Sequence, residues 1–193
     1  MPADRFSPVT NEMLTSPPAE DWLMWRRTYD AWAHSPLDQI DRSNVGNLRL
    51  AWVWTMEEGK QETTPLVHGG MMFLVQACDF VEAVDAATGD LIWRYERETG
   101  GKAPMGLVMS TSAKSLAIYR DLVYFTSPDA YLVALDARTG TVRWRATGPE
   151  PGHGYLGRRT GASTVYAPTG LHTARTSTGR PSADSSRCTR PST

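Results

Sequence analysis

Ala83-Val-Asp-Ala-Ala-Thr-Gly-Asp-Leu-Ile-Trp93 decides the fold, because it recurs as Ala134-Leu-Asp-Ala-Arg-Thr-Gly-Thr-Val-Arg-Trp144. The offset is 51 residues, and it also matches Met71–Leu74 with Leu122–Phe125. A period of about 40–50 residues holding roughly four short strands is the size of one blade of a β-propeller. The repeat has a local physical logic. Asp85 and Asp136 each precede a Thr-Gly pair, where the carboxylate can accept backbone N–H groups of the turn. Gly89 and Gly140 supply the positive φ that such a hairpin needs. The strand that follows ends on Trp93 or Trp144, a broad ring suited to docking on the neighbouring blade. One four-stranded blade cannot bury both faces, so blades must stack. Two repeats do not close a ring, and an open stack leaves apolar surface and edge strands bare, which predicts poor solubility in isolation.

Working outward, the surrounding chain is all-β in pattern. Leu48, Leu50, Trp52, Trp54 and Met56 fall every second residue, on one face of a strand. Further short runs bounded by turn residues predict strands at Met71–Val75, Val81–Val84, Leu91–Tyr95, Ser115–Tyr119, Leu122–Thr126, Tyr131–Leu135 and Val142–Ala146. Only Asp21–Tyr29, with Trp22 and Trp25 three apart, reads as helical. Composition divides the chain into an extended N-terminal arm over residues 1–20, propeller blades over 21–156, and an irregular tail over 157–193. That tail has no Lys, no Glu and a single acid, Asp184, and its apolar periodicity disappears. It reads as disordered or as translation in a shifted frame. Codons for Ser182–Arg190 exist whose shifted frame gives the strand-like Cys-Gly-Phe-Ile-Thr-Val-His-Ala.

Composition narrows the function. A hydrophobic share of 40% in 193 residues supports a core. The net charge of −1 gives no electrostatic footprint for nucleic acid. Cys78 and Cys188 are too few for a disulfide framework and match no metal-ligand spacing. No run approaches the length that spans a bilayer, and Met1–Thr10 lacks the apolar stretch of a signal peptide.

Three further motifs point to a family. Tyr29-Asp-Ala-Trp-Ala-His-Ser-Pro-Leu-Asp-Gln-Ile40, then Asn44-Val-Gly-Asn-Leu48, then Ala51-Trp52 closely resemble the opening segment of PQQ-dependent alcohol and methanol dehydrogenases. Glu62-Thr-Thr-Pro-Leu-Val67 follows at the family's place, ahead of the first repeat. The resemblance covers about residues 9–155. It implies an eight-bladed propeller carrying pyrroloquinoline quinone beside a Ca²⁺ or lanthanide ion, of which this chain holds about two blades. It further implies oxidation of a small alcohol by hydride transfer to the quinone, with electrons leaving for a cytochrome c or a quinone, in the periplasm.

Residue by residue the resemblance carries little of the site. Glu62 matches the family glutamate that hydrogen-bonds the cofactor. Lys114 stands at the approximate place of a family arginine that contacts it, and lysine offers a point charge without the planar fork. The adjacent-cysteine pair of methanol-dehydrogenase-like members is replaced by Val108-Met109. No residue matches the metal-ligating Glu and Asn or the catalytic Asp. His34, His68, His153 and His172 show no ligand spacing and read as ordinary loop or strand histidines. The expectation is therefore an N-terminal portion of a quinoprotein alcohol dehydrogenase that is inactive alone. The alternative is a non-enzymatic propeller module that binds or scaffolds other proteins.

Overall fold

In the computed structural model the described residues are 2–56, 63–76, 80–96, 116–127 and 131–147. Two short helical turns, α1 (Pro2–Arg5) and α2 (Asn11–Thr15), open the chain. Eight strands follow: β1 (Leu66–His68), β2 (Met71–Val75), β3 (Val81–Asp85), β4 (Leu91–Tyr95), β5 (Ala117–Tyr119), β6 (Leu122–Thr126), β7 (Tyr131–Asp136) and β8 (Val142–Thr147). They form two four-stranded antiparallel sheets, β1-β2-β3-β4 and β5-β6-β7-β8, each in sequence order. Each sheet is one blade, and the partial propeller expected from the repeat is what forms.

The repeat is visible in the hydrogen bonds. Asp85 Oδ1 accepts from the amides of Ala87 (2.8 Å) and Thr88 (3.4 Å). Asp136 Oδ1 accepts from those of Arg138 and Thr139, both at 3.0 Å. Gly89 N donates to Asp85 O and Gly140 N to Asp136 O, each at 2.8 Å. The glycines sit at φ of 78° and 70°, in the left-handed region that a Cβ disfavours. After each turn the register shifts, between Ala83 and Val84 in blade 1 and between Ala134 and Leu135 in blade 2. One residue is thereby skipped, so Trp93 lies opposite Ala83 and Trp144 opposite Ala134.

The two blades meet through aromatic rings. The Trp93 indole N–H donates to Ala137 O at 2.9 Å, and its ring covers Gly140 so closely that a Cβ there would lie 2.5 Å from Cε3. Tyr95 packs on Phe125 with ring centroids 5.7 Å apart. The core of the stack is Phe73, Val75, Val81, Ala83, Ile118, Val123, Phe125, Val133 and Leu135, all buried. At full burial such side chains contribute about 1.5–3 kcal/mol each before entropy is subtracted.

Several local expectations change. Leu66–His68, read only as part of a motif, is a strand. Asp21–Tyr29 is not a helix. The Trp22 N–H and C=O are both taken by Val67 of β1, at 2.8 and 2.9 Å, and Arg27 at φ 69° breaks any helical run. Residues 1–20 carry the two helical turns where an extended arm was expected, because Thr10 Oγ1 caps α2 at the Met13 amide. The alternation expected over Leu48–Met56 holds only from Ala51 on, with Trp52, Trp54 and Met56 half-buried and Ala51, Val53 and Thr55 exposed; Leu48 and Leu50 are exposed, and the segment pairs with no strand among the described residues.

The second turn has a testable electrostatic role. The buried Asp136 carboxylate also takes Arg143 Nη2 at 2.7 Å and Nε at 3.2 Å. Burial pushes its pKa up, but Arg143, Thr139 and the turn amides outweigh that, so it lies below the ordinary 3.8. A carboxylate depressed in the native state stabilises above its unfolded value, and this contribution is lost as pH falls through the native value. Asp136→Ala is expected to cost about 2 kcal/mol at neutral pH and to flatten the acid limb of stability below about pH 4, as read by chemical denaturation at stepped pH.

Candidate functional site

The two candidate cofactor contacts lead into the first strands of successive blades. Glu62 precedes β1, and Lys114 precedes β5. Both side chains lie outside the described residues, as do Val108, Met109, Cys78, Cys188, His153 and His172. What is described is the backbone they join. Thr63–Pro65 run half-buried into β1, and Leu116, buried, runs into β5. The Thr63 hydroxyl is buried and has no hydrogen-bond partner.

The donor set can be tested against the groups the sequence implies. The Lys114 ammonium suits the carbonyl and carboxylate oxygens of a quinone cofactor, whereas the Glu62 carboxylate, an acceptor when ionised, suits only an N–H or O–H of that group. The described residues do not suit a metal ion, since no group of three or more His, Cys, Asp or Glu gathers among them. His34 is exposed. His68 is buried, with Nδ1 2.7 Å from Asp21 Oδ2 and Nε2 2.8 Å from Ser7 O. It is a satisfied strand histidine, as expected.

One polar cluster escaped the sequence reading. Glu82 lies in the middle of β3, fully buried. Its Oε2 accepts from Gln76 Nε2 and, at 2.9 Å, from the Trp54 indole N–H, while Arg94 Nη1 stands 3.2 Å from Oε1. A carboxylate tolerates such burial only with partners of this kind. The cluster ties the unpaired Leu48–Met56 segment onto blade 1. The repeat held the signal: the position equivalent to Glu82 in blade 2 is Val133, so the charge departs from the apolar rule of its own strand.

Trp52 completes the pattern on the other side of blade 1. Its indole N–H donates to Ala86 O at 3.2 Å, and a Cβ on Gly89 would lie 2.8 Å from its ring. Trp52 therefore stands to blade 1 as Trp93 stands to blade 2. Trp93 is 7% exposed and Trp144 is 40% exposed, so the third indole has no such cradle among the described residues.

Comparison with known proteins agrees with this geometry. The PQQ family model "Glucose/ethanol/alcohol dehydrogenase, beta-propeller domain" matches residues 22–143. The dehydrogenase subunit of the alcohol dehydrogenase (quinone) of Komagataeibacter europaeus is 42% identical over 125 residues, 64% of this chain and 17% of that protein. The solved quinohemoprotein alcohol dehydrogenase ADHIIG from Pseudomonas putida superposes with a TM-score of 0.65 at 31% identity, covering 76% of this chain and 22% of that one. A europium-containing methanol dehydrogenase gives a TM-score of 0.63 at 26% identity, over 72% and 25% of the two chains. The chain spans about a fifth of the length of such relatives. No helix among the described residues is long and apolar enough to cross a membrane. With its indoles seated on the glycines of Thr-Gly turns and its residues 22–143 matched throughout, the chain belongs to the PQQ-dependent alcohol dehydrogenase β-propeller family.

Proposed function

We propose that these residues are the first blades of a pyrroloquinoline-quinone-dependent alcohol dehydrogenase. In the whole enzyme a small alcohol is oxidised by hydride transfer to the quinone, and electrons pass to a cytochrome c or a quinone in the periplasm. The observation that carries the reading is the repeated dock of indole on glycine. It orders the blades in one direction, with the residues ahead of β1 and β5 occupying equivalent places. Glu62 and Lys114 enter on those approaches one residue out of register, since the 51-residue offset carries Glu62 to Ala113 and Lys114 to Thr63, Glu62 as a hydrogen-bond partner of the cofactor and Lys114 as a cationic contact.

Bound there, the quinone supplies the two-electron acceptor. The chain's own share is binding and orientation. The Glu62 carboxylate fixes one edge of the ring system, and the Lys114 ammonium attracts negative charge without imposing the bidentate geometry an arginine would. The Ca²⁺ or lanthanide ion, the catalytic carboxylate base and the substrate pocket belong to other blades. The division into an arm over 1–20, blades over 21–156 and a separate tail over 157–193 is part of the same proposal.

The chain mixed with the quinone, Ca²⁺ or a lanthanide, an alcohol and a dye acceptor is expected to show no turnover; robust turnover overturns that. Joined to the remaining blades of a relative, it is expected to support activity. In that assembly Glu62→Gln should weaken quinone binding by about 10–100-fold, the worth of a hydrogen bond to a charged group. Unchanged quinone affinity would remove Glu62 from the site.

A further inference from the structure

The N-terminal arm crosses both blades and is fastened at two places. Val9 and Arg120 exchange backbone hydrogen bonds at 3.0 and 2.9 Å on blade 2, and Trp22 and Val67 do so at 2.8 and 2.9 Å on blade 1. Ahead of Val9 the Phe6 ring meets His68 edge-on at 5.0 Å and Phe73 at 6.4 Å, and Arg138 Nη2 donates to Phe6 O at 2.8 Å. His68 sits under this strap at 2% exposure, and Asp21 beside it at 4%.

The hydrogen-bond arithmetic at His68 has one solution. Ser7 O is a carbonyl and only accepts, so Nε2 must carry a hydrogen. A neutral imidazole has a single N–H, which that bond consumes. Nδ1 would then turn a lone pair toward a carboxylate oxygen 2.7 Å away, in a place with no room for water to intervene. The pair is stable only with one more proton between the ring and Asp21. Asp21 Oδ1 also accepts from Gly69 N at 3.4 Å, which holds the carboxylate in position.

The other groups around the ring do not supply this proton. From β2 the cross-strand neighbour is Met71. From α1, Arg5 reaches toward Gly70, and from the β7–β8 turn Arg138 lies over Phe6, in contact with Asp121. Arg27 donates to the carbonyls of Pro17 and Pro18. Asp21 is thus the one acid hydrogen-bonded to the ring among the described residues.

We propose that the arm is a strap latched by a proton: with the proton shared by His68 and Asp21 it holds both blades, and without it the strap lets go of β1 while Val9 stays on blade 2. The electrostatics agree in direction. Burial lowers the His68 pKa, but the Asp21 hydrogen bond, the Ser7 carbonyl and the Asp21 charge together raise it above the ordinary 6.5. A histidine raised in the native state stabilises fully below its unfolded value, and that contribution disappears as pH rises through the native value. The latch is closed in mildly acid solution and opens on the alkaline side. This holds whether or not a cofactor binds.

The test is hydrogen exchange by mass spectrometry on the full chain from about pH 5.5 to pH 9.5, corrected for intrinsic rates, with imidazole C2–hydrogen exchange reporting His68 itself. His34, exposed, is the internal reference. The expected result is a His68 midpoint above 6.5, with peptides containing Trp22 and Val67 losing protection by about tenfold per pH unit beyond it and the Val9 peptide holding. Asp21→Asn lets a carboxamide donate to neutral Nδ1, so its protection should be flat over the same range. A His68 midpoint at or below 6.5, Trp22 and Val67 protection indifferent to that midpoint, or a pH step surviving in Asp21→Asn would each overturn the latch. If the variant does not fold, the measurements on the unaltered chain decide alone.

Discussion

Trp93→Ala is expected to destabilise the two-blade stack by about 3–5 kcal/mol, the usual cost of removing a large buried aromatic. The ring touches both blades. It packs on Phe73 at 6.0 Å within its own sheet and covers Gly140 in the next. Its N–H is the hydrogen-bond partner of the Ala137 carbonyl, and removing that donor leaves a buried acceptor unpaired at about 1–3 kcal/mol, already part of the total. Trp93→Phe keeps much of the apolar area and loses the N–H, so it should fall between the two. Trp144→Ala, at the equivalent place but 40% exposed, should cost about 1 kcal/mol. Denaturant titrations of the three variants check the order; equal losses at Trp93 and Trp144 would sink the idea that docking, and not the strand position, sets the cost.

Gly140→Ala comes next in size, at about 2–5 kcal/mol. Two causes combine. The backbone φ of 70° costs an L-residue about 1–2 kcal/mol, and a methyl 2.5 Å from Trp93 Cε3 and 2.7 Å from Cδ2 must push the ring or the turn aside, at about 1–3 kcal/mol. The second cause disappears if the ring is absent. In a Trp93→Ala background, Gly140→Ala should therefore cost only the backbone share, giving a coupling of about 1–3 kcal/mol in a double-mutant cycle. Strict additivity of the two changes would show that the glycine is there for its φ alone.

Much of the fold is legible in the sequence because the repeat states it twice. The Asp-x-x-Thr-Gly turns, the strands on either side and the docking of Trp93 on the next blade all follow from period, turn chemistry and side-chain size, although each outer strand runs on past its Trp, to Tyr95 and Thr147. Local pattern fails where a distant partner decides. Asp21–Tyr29 has helical spacing, but Val67, far along the chain, claims the Trp22 backbone. Leu48–Met56 has strand spacing, but no described strand pairs with it, and it is held by indole contacts and by Glu82. Glu82 itself shows only as an exception between two copies of the repeat. The candidate site is legible by resemblance alone. Glu62 and Lys114 are single residues of common type at strand approaches, and nothing in their neighbours' hydropathy distinguishes a cofactor contact from a solvated charge.

The indole-on-glycine dock joins two different surfaces, since each blade offers an outer-strand tryptophan on one side and a glycine turn on the other. Such head-to-tail contacts carry no instruction to stop. A two-fold interface saturates once made, whereas this one presents the next outer-strand ring, here Trp144, with no glycine turn seated under it among the described residues, each time a blade is added. Blade number is then a matter of angle: the rotation set by how Trp93 seats on Gly140 either divides the full circle or winds into an open spiral. Side-chain changes at that seat therefore bear on ring size as well as on either blade, so copy number in this architecture is encoded in the angle of one contact, repeated.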